Sequence, residues 1–191
     1  MKRRFFCKTT VSILLAWGIN PINAFSNINN KVLSGQLLIN NKLTKGSFEY
    51  LDNALIETQD SKVVIKVNND VFLIKANSKL KFISNKINEI ILGSFHGVFS
   101  KRKKELLIKI SDGTIGIRGT AVYVELDSKN EKSFLCNCFG HTVVYNKNFQ
   151  LLKSLKNSKS NMHSPVTISK YGIKKINEFK HDVVKKEFLN S

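Results

Sequence analysis

From about residue 32 onward the chain alternates short apolar runs with polar punctuation. The runs fall at residues 36–39, 54–58, 62–67, 70–75, 80–83, 90–92, 97–99, 106–110, 114–126, 134–139 and 142–145. Most are shorter than a stable helix needs and rich in Val, Ile and Phe, which suit a pleated, half-buried surface. Asn40-Asn41, Asn68-Asn69-Asp70 and Asp112-Gly113 lie between runs and supply turn chemistry. The pattern predicts one all-β domain over residues 32–150, built of many short strands. Its even spacing is compatible with a β-roll or solenoid as well as a sandwich. Residues 151–170 are expected to be a polar loop segment, because 154–164 hold only Leu155 and Met162 as large apolar residues. Beyond it, Ile173, Ile176, Phe179, Val183, Val184 and Phe188 follow 3–4 spacing, which predicts a C-terminal amphipathic helix over residues 171–188. Lys174, Lys175, Lys180, Lys185 and Lys186 would form its polar face. Such a helix fits either packing on the β domain or docking on a partner or membrane surface.

The first 24 residues have a different character. Lys2, Arg3, Arg4 and Lys8 precede an apolar stretch over residues 11–19, and Asn-Pro-Ile-Asn-Ala follows, ending at Ala24. This is the layout of a secretory signal cleaved near Ala24. The apolar stretch is about half of the ~20 residues a membrane-spanning helix requires, so no integral span is expected in the mature chain. Arg3-Arg4-Phe5-Phe6-Cys7-Lys8 also fits a twin-arginine export pattern. The expected location is therefore the periplasm.

Charge changes this picture little. The four basic leader residues account for 4 of the formal +17, leaving +13 on 167 residues. That excess is almost wholly lysine, since only Arg102 and Arg118 remain after the leader. Readers of nucleic acid favour arginine for bidentate contacts, and an exported chain rarely meets nucleic acid, so that class is set aside. The cluster at residues 101–104 reads as a solvated turn, with attraction to an anionic envelope polymer as the sharper reading.

Candidate chemistry concentrates in Ser111 to Asp127 and Lys132 to Tyr145. Gly113, Gly116 and Gly119 recur every three residues around Arg118, and an apolar run follows. As one continuous strand, Ile115, Ile117, Ala121 and Tyr123 would share a face, and Thr120, Val122, Val124 and Leu126 the other. Arg118 would then be buried and would require a carbonyl or carboxylate partner. It serves there either as a structural staple or as a ligand contact. Cys136 and Cys138 would share a face with Cα atoms roughly 6.5–7 Å apart, at the limit of good disulfide geometry. Three readings stay open: a buried thiol pair, a strained or intermolecular disulfide, and a zinc or copper(I) site recruiting His141 and also His163. Parity puts His141 on the opposite face unless Gly140 bulges the chain. His96 and His181 have no patterned partner and read as surface or core histidines.

The Gly116-Ile-Arg118-Gly119-Thr120 strand leading to Cys136-x-Cys138-x-Gly140 resembles the FecR domain, with a looser match over about residues 32–144. The resemblance implies a β domain outside the inner membrane, working in signalling or envelope sensing. It points to Gly116, Arg118, Gly119, Thr120, Cys136, Cys138 and Gly140 as signature residues. Well-known FecR proteins are anti-sigma regulators with a cytoplasmic helical region before a membrane helix. This chain is expected to have neither, so the sigma-binding role is not carried over. No serine-hydrolase elbow, His-Glu-x-x-His helix or phosphate loop occurs. Asp112, Glu125 and Asp127 read as solvated carboxylates. The expectation is a non-enzymatic module without a cofactor, binding an envelope protein or anionic polymer. The alternative is a periplasmic metal-binding or redox protein using the Cys-x-Cys strand.

Overall fold

The computed structural model describes residues 30–49, 52–83, 87–127, 129, 131–157, 163–177 and 180–191. The leader expected over residues 1–24 lies outside them. Among the described residues no helix is long and apolar enough to cross a membrane.

Strand formation follows the alternation read from the sequence. The first half comprises β1 (Lys31–Ser34), β2 (Leu37–Ile39), β3 (Lys42–Thr44), β4 (Ala54–Glu57), β5 (Val63–Val67), β6 (Asp70–Ile74), β7 (Lys79–Phe82) and β8 (Ile87–Leu92). The second half comprises β9 (Ser94–Val98), β10 (Leu106–Ile110), β11 (Gly113–Ile117), β12 (Ala121–Asp127), β13 (Lys132–Tyr145), β14 (Leu151–Asn157), β15 (Ser164–Ser169) and β16 (Gly172–Lys175). The β2–β3 turn places Asn40 and Asn41 at φ 49° and 65°, and Asn68 takes φ 55° in the β5–β6 turn. Asparagine visits this left-handed region more readily than other side-chain-bearing residues, which is why Asn pairs sit at these hairpins.

Hydrogen-bonded neighbours run β1-β5-β6-β9-β12-β13-β11-β10-β8-β7-β4-β2-β3, with β14 and β15 added on β13 and β16 on β15. The pairings are antiparallel except β8 with β10. At the far edges Lys31 bridges Ser47, and the Val32 amide donates to the Gly46 carbonyl at 2.8 Å. The path therefore nearly closes on itself as a barrel-like sheet. One core fills it, with Ile65, Ile74, Ile115, Ile117, Val122, Val124, Leu135 and Ile168 almost fully enclosed.

The fourteen-residue β13 organises the whole. Its first part pairs with β12 and β15, its second with β11 and β14. The turn is made where Gly140 takes φ 83°. β11 and β12 are likewise not one strand: the chain breaks between Ile117 and Ala121, with Gly119 at φ 90°. That break shifts parity by one. Ile115 and Ile117 share the main core with Val122 and Val124, while Tyr123 joins Cys136 and Cys138 in a separate cluster. The expected single strand over residues 114–126 is corrected accordingly.

The C-terminal region also departs from expectation. β14 and β15 occupy much of residues 151–170, read from the sequence as loop. No amphipathic helix forms over 171–188 among the described residues. Instead Gly172–Lys175 pairs with β15, Ile168 opposite Ile173, and only Lys186–Phe188 makes a 3₁₀ turn. The helical spacing lost because Ile173 gains core contact as the partner of a buried strand. Residues 180–185 run without regular structure, and Val184 packs on Val64, Val71 and Leu73.

Candidate functional site

Two arrangements gather the candidate residues. The first is the corner where the chain turns at Gly119 and Gly140. A Cβ on Gly140 would stand 2.8 Å from both the Gly119 carbonyl oxygen and Thr120 Cβ. A Cβ on Gly119 would stand 2.7 Å from Lys101 Cα. Both glycines thus combine left-handed φ with backbone approach that no side chain permits. Asn137, fully enclosed between the two cysteines in sequence, turns inward. Its Oδ1 accepts from Thr120 Oγ1 and Thr142 Oγ1, each at 3.0 Å, and its Nδ2 donates to the carbonyls of Gly140 (3.1 Å) and Leu155 (3.2 Å). This knot holds the corner and gives Thr120 its place.

Gly116 leaves room for another contact. Above it Glu105 accepts from Arg118 Nε at 3.0 Å and from Tyr145 Oη at 3.0 Å. Burial, then the bond to Glu105 and its charge, raise the Tyr145 pKa. Arg118 itself is exposed, its side chain retaining 56% of its accessible surface. It is not the buried staple that uninterrupted strand parity predicted, because the break at residues 118–120 swings it outward. Arg102, from the basic cluster, turns in to pair with Asp70, which also accepts from the Ser100 amide and hydroxyl at 3.0 Å. That cluster is therefore partly absorbed in structure.

The second arrangement lies on the outer face of the sheet. Backbone register sets a row across neighbouring strands: Val64 opposite Leu73, Leu73 opposite His96, His96 opposite Tyr123, Tyr123 opposite Cys136. Cys136 lies opposite Pro165 and Asn137 opposite Ser164. His163, one step before β15, therefore arrives level with Cys138. The tail crosses over this row and brings His181 onto it. The ligating atoms of Cys136, Cys138, His163 and His181 all lie within 4.8 Å of one another. Both cysteines are free and buried. Their Sγ atoms are 3.9 Å apart, with Cys136 Sγ 3.3 Å from His163 Nδ1 and Cys138 Sγ 3.4 Å from His181 Nε2.

The surroundings fix each ring. Tyr123 stacks on His181 with centroids 4.6 Å apart and planes 9° apart. The His181 Nδ1 faces the Asp182 carbonyl at 2.9 Å, which sets Nδ1 as the protonated nitrogen and leaves Nε2 toward the thiols. His96 is buried, and burial followed by the charges of His181 and His163 lowers its pKa to about 4. Neutral His96 accepts the Val184 amide on Nδ1 at 2.9 Å and so ties down the tail. Donation from the Cys138 thiol, partly offset by burial and reinforced by His181 and His163, holds the Cys136 thiol below its usual range. The same donation, with burial, raises Cys138. Burial works against a charged His181, but the bonds to Cys136 and the Asp182 carbonyl outweigh it and raise its pKa.

Of the sequence candidates, Cys136, Cys138 and His163 come together. His141 does not: it bonds Ser154 Oγ at 2.8 Å away from the thiols. His181, set aside as unpatterned, is the fourth member. Its approach depends on the path of the tail, and no local spacing announces it. The available signal was the small census of four histidines, two of which converge on the only cysteines after the leader.

No protein-family model and no curated protein matches the chain. Two solved structures share its fold, both of a putative anti-sigma factor from Parabacteroides distasonis, at 1.65 Å and 2.50 Å resolution. They superpose with TM-scores of 0.53 and 0.52 at 14% identity, covering 65% and 64% of this chain. The chain spans 59% and 58% of the length of those proteins, somewhat over half. Identity at that level carries the fold alone.

Proposed function

We propose that this chain is an exported, non-enzymatic, FecR-like module that binds a protein in envelope sensing or signalling. The observation that carries the reading is the fold shared with the Parabacteroides distasonis protein. The Gly116-to-Thr120 and Cys136-to-Gly140 motifs support it from sequence, and the leader pattern supports a periplasmic location. In this reading the signature glycines, Thr120 and Asn137 build the corner, and Arg118 is the signature side chain left exposed for a partner. An exposed ion pair such as Arg118–Glu105 is worth about 0–1 kcal/mol, so Arg118→Ala leaves the domain folded.

The test places a photo-crosslinking residue at exposed Phe139 in the full chain, produced in its own cells, and fractionates the envelope. A discrete protein adduct that weakens with Arg118→Ala is the expected result. Recovery of the folded chain from the cytoplasm alone, or an adduct indifferent to Arg118→Ala, overturns the location or the contact respectively.

A further inference from the structure

We infer that Cys136, Cys138, His163 and His181 form a four-coordinate zinc site that clasps the C-terminal segment onto the outer face of the sheet. The inference is independent of the partner-binding reading and rests on geometry. Zinc bound by two thiolates at about 2.3 Å and two imidazoles at about 2.0–2.1 Å sits in a tetrahedron whose edges are roughly 3.3–3.8 Å. The spacings between donors here are 3.3, 3.4 and 3.9 Å for three of those edges, and none exceeds 4.8 Å. The donor set therefore already stands close to the vertices of the polyhedron that the ion requires.

Donor chemistry agrees with shape. Two thiolates neutralise a dication, and two sulfurs with two imidazoles suit zinc above harder ions such as magnesium or calcium. The His181 Nδ1 is occupied by the Asp182 carbonyl, the contact that orients a ligating imidazole and presents its other nitrogen. Tyr123 fixes the ring plane from one side. Cys136 and Cys138 are buried, while His163 is exposed and His181 half-buried, so an ion can enter from the histidine side and end among the sulfurs. All four positions are filled by protein, which marks a structural rather than a catalytic centre.

The ligands come from three separated pieces of chain: β13, the start of β15, and the tail. An ion held by them cross-links the tail to the sheet, with the His96–Val184 hydrogen bond as a second fastening three residues further on. Without an ion, the Tyr123–His181 stack, the His96–Val184 hydrogen bond and the packing of Val184 and Phe188 on their small apolar patch are what hold the tail.

The experiment uses the full chain, purified under reducing conditions, stripped and then titrated with zinc, with cobalt(II) as a spectroscopic probe. Expected are one zinc per chain by elemental analysis and the intense visible absorption of tetrahedral thiolate-bound cobalt. Hydrogen exchange across residues 180–191 should slow on zinc addition. Cys136→Ser should lose at least half of the sulfur-to-cobalt charge-transfer band and the double change with Cys138→Ser all of it, and His181→Ala should lose both stoichiometric zinc and tail protection. His163→Ala alters an exposed side chain and so tests the site without threatening the fold, while His141→Ala should change nothing. Octahedral cobalt, or zinc retained by both His163→Ala and His181→Ala, overturns the site. Loss of zinc in His141→Ala with retention in His181→Ala transfers it to the wrong histidine and overturns the assignment. Zinc binding that leaves exchange in the tail unchanged overturns the clasp. Failure to take up zinc when both thiols are shown reduced overturns the whole inference.

Discussion

Replacing Asn137 by alanine tests whether the signature corner is held by its buried amide. Asn137 uses all of its hydrogen-bonding capacity: two acceptor sites on Oδ1 for Thr120 and Thr142, two donors on Nδ2 for the Gly140 and Leu155 carbonyls. Alanine leaves both hydroxyls and the Leu155 carbonyl enclosed and the Gly140 carbonyl partly so. The hydroxyls can rotate, and Thr120 Oγ1 already lies 3.4 Å from the Ala121 carbonyl, so their loss is softened. The two carbonyls cannot rotate. At about 1–3 kcal/mol for each buried group left without its partner, the change should cost about 2–4 kcal/mol. Against a typical domain stability of about 5–15 kcal/mol, that is a large share. Urea unfolding followed by far-ultraviolet circular dichroism should show an unchanged m-value. With m of about 2 kcal/mol/M, the midpoint should fall by about 1–2 M. Asn137→Asp should be worse, since it turns two donors into a carboxylate facing carbonyls. A midpoint shift below about 0.25 M for alanine would mean that the knot contributes little and that the corner is held by strand pairing alone.

Gly140→Ala combines a positive φ with a Cβ 2.8 Å from backbone oxygen, so it should destabilise by more than the ~1–2 kcal/mol of the conformational term, read as a lowered melting temperature. Val184→Asp puts a carboxylate against Val64, Val71 and Leu73; the tail should become sensitive to proteolysis while the unfolding midpoint of the barrel barely moves. The folded state raises the Tyr145 pKa, favouring the neutral phenol, so this contribution is full below the unfolded value near 10 and fades above it. Tyr145→Phe should flatten that part of the stability loss at alkaline pH, measured as urea midpoints between pH 9 and 11.

The hairpins were legible because their information is local. Residues 63–67 and 70–74 are apolar runs on either side of Asn68-Asn69, and an Asn in the left-handed region closes such a turn without help from the rest of the chain. Residues 106–110 matched β10 for the same reason. The break at residues 118–120 was not legible. The apolar run continues through it, and Gly119 signals a possible bend without saying that parity changes there. That single shift decides which face Tyr123 occupies and sends Arg118 to solvent. It follows that face assignments C-terminal to an unplaced glycine bend carry no weight until the bend is fixed, however clean the alternation on either side.

The path of the tail, and with it the place of His181 in the thiol–imidazole cluster, failed to show in the sequence for a related reason. Ile173, Ile176 and Val183 have the spacing of a helix, but β15 ends in Ser169 with its edge unpaired, and Gly172 at φ 117° lets the chain turn back to fill that edge. Pairing satisfies the backbone of both strands and packs the half-buried Ile173 against the core, a gain that local propensity does not count. β16 takes residues 172–175, the start of the expected helix, into the sheet, and residues 180–185 lie across the outer face without regular structure. His181 therefore reaches Cys138 across 43 positions of sequence as a consequence of that hairpin. The expected metal site recruited His141 and also His163 to the two cysteines; antiparallel register does carry His163 to the level of Cys138, while a folded-back tail supplies His181 in place of His141. Ligand sets assembled this way are invisible to spacing rules, yet they are constrained: once the pairing of Cys136 with Pro165 is known, His163 is the histidine that must arrive beside the thiols, and His141, beyond the bend at Gly140, is the one that cannot.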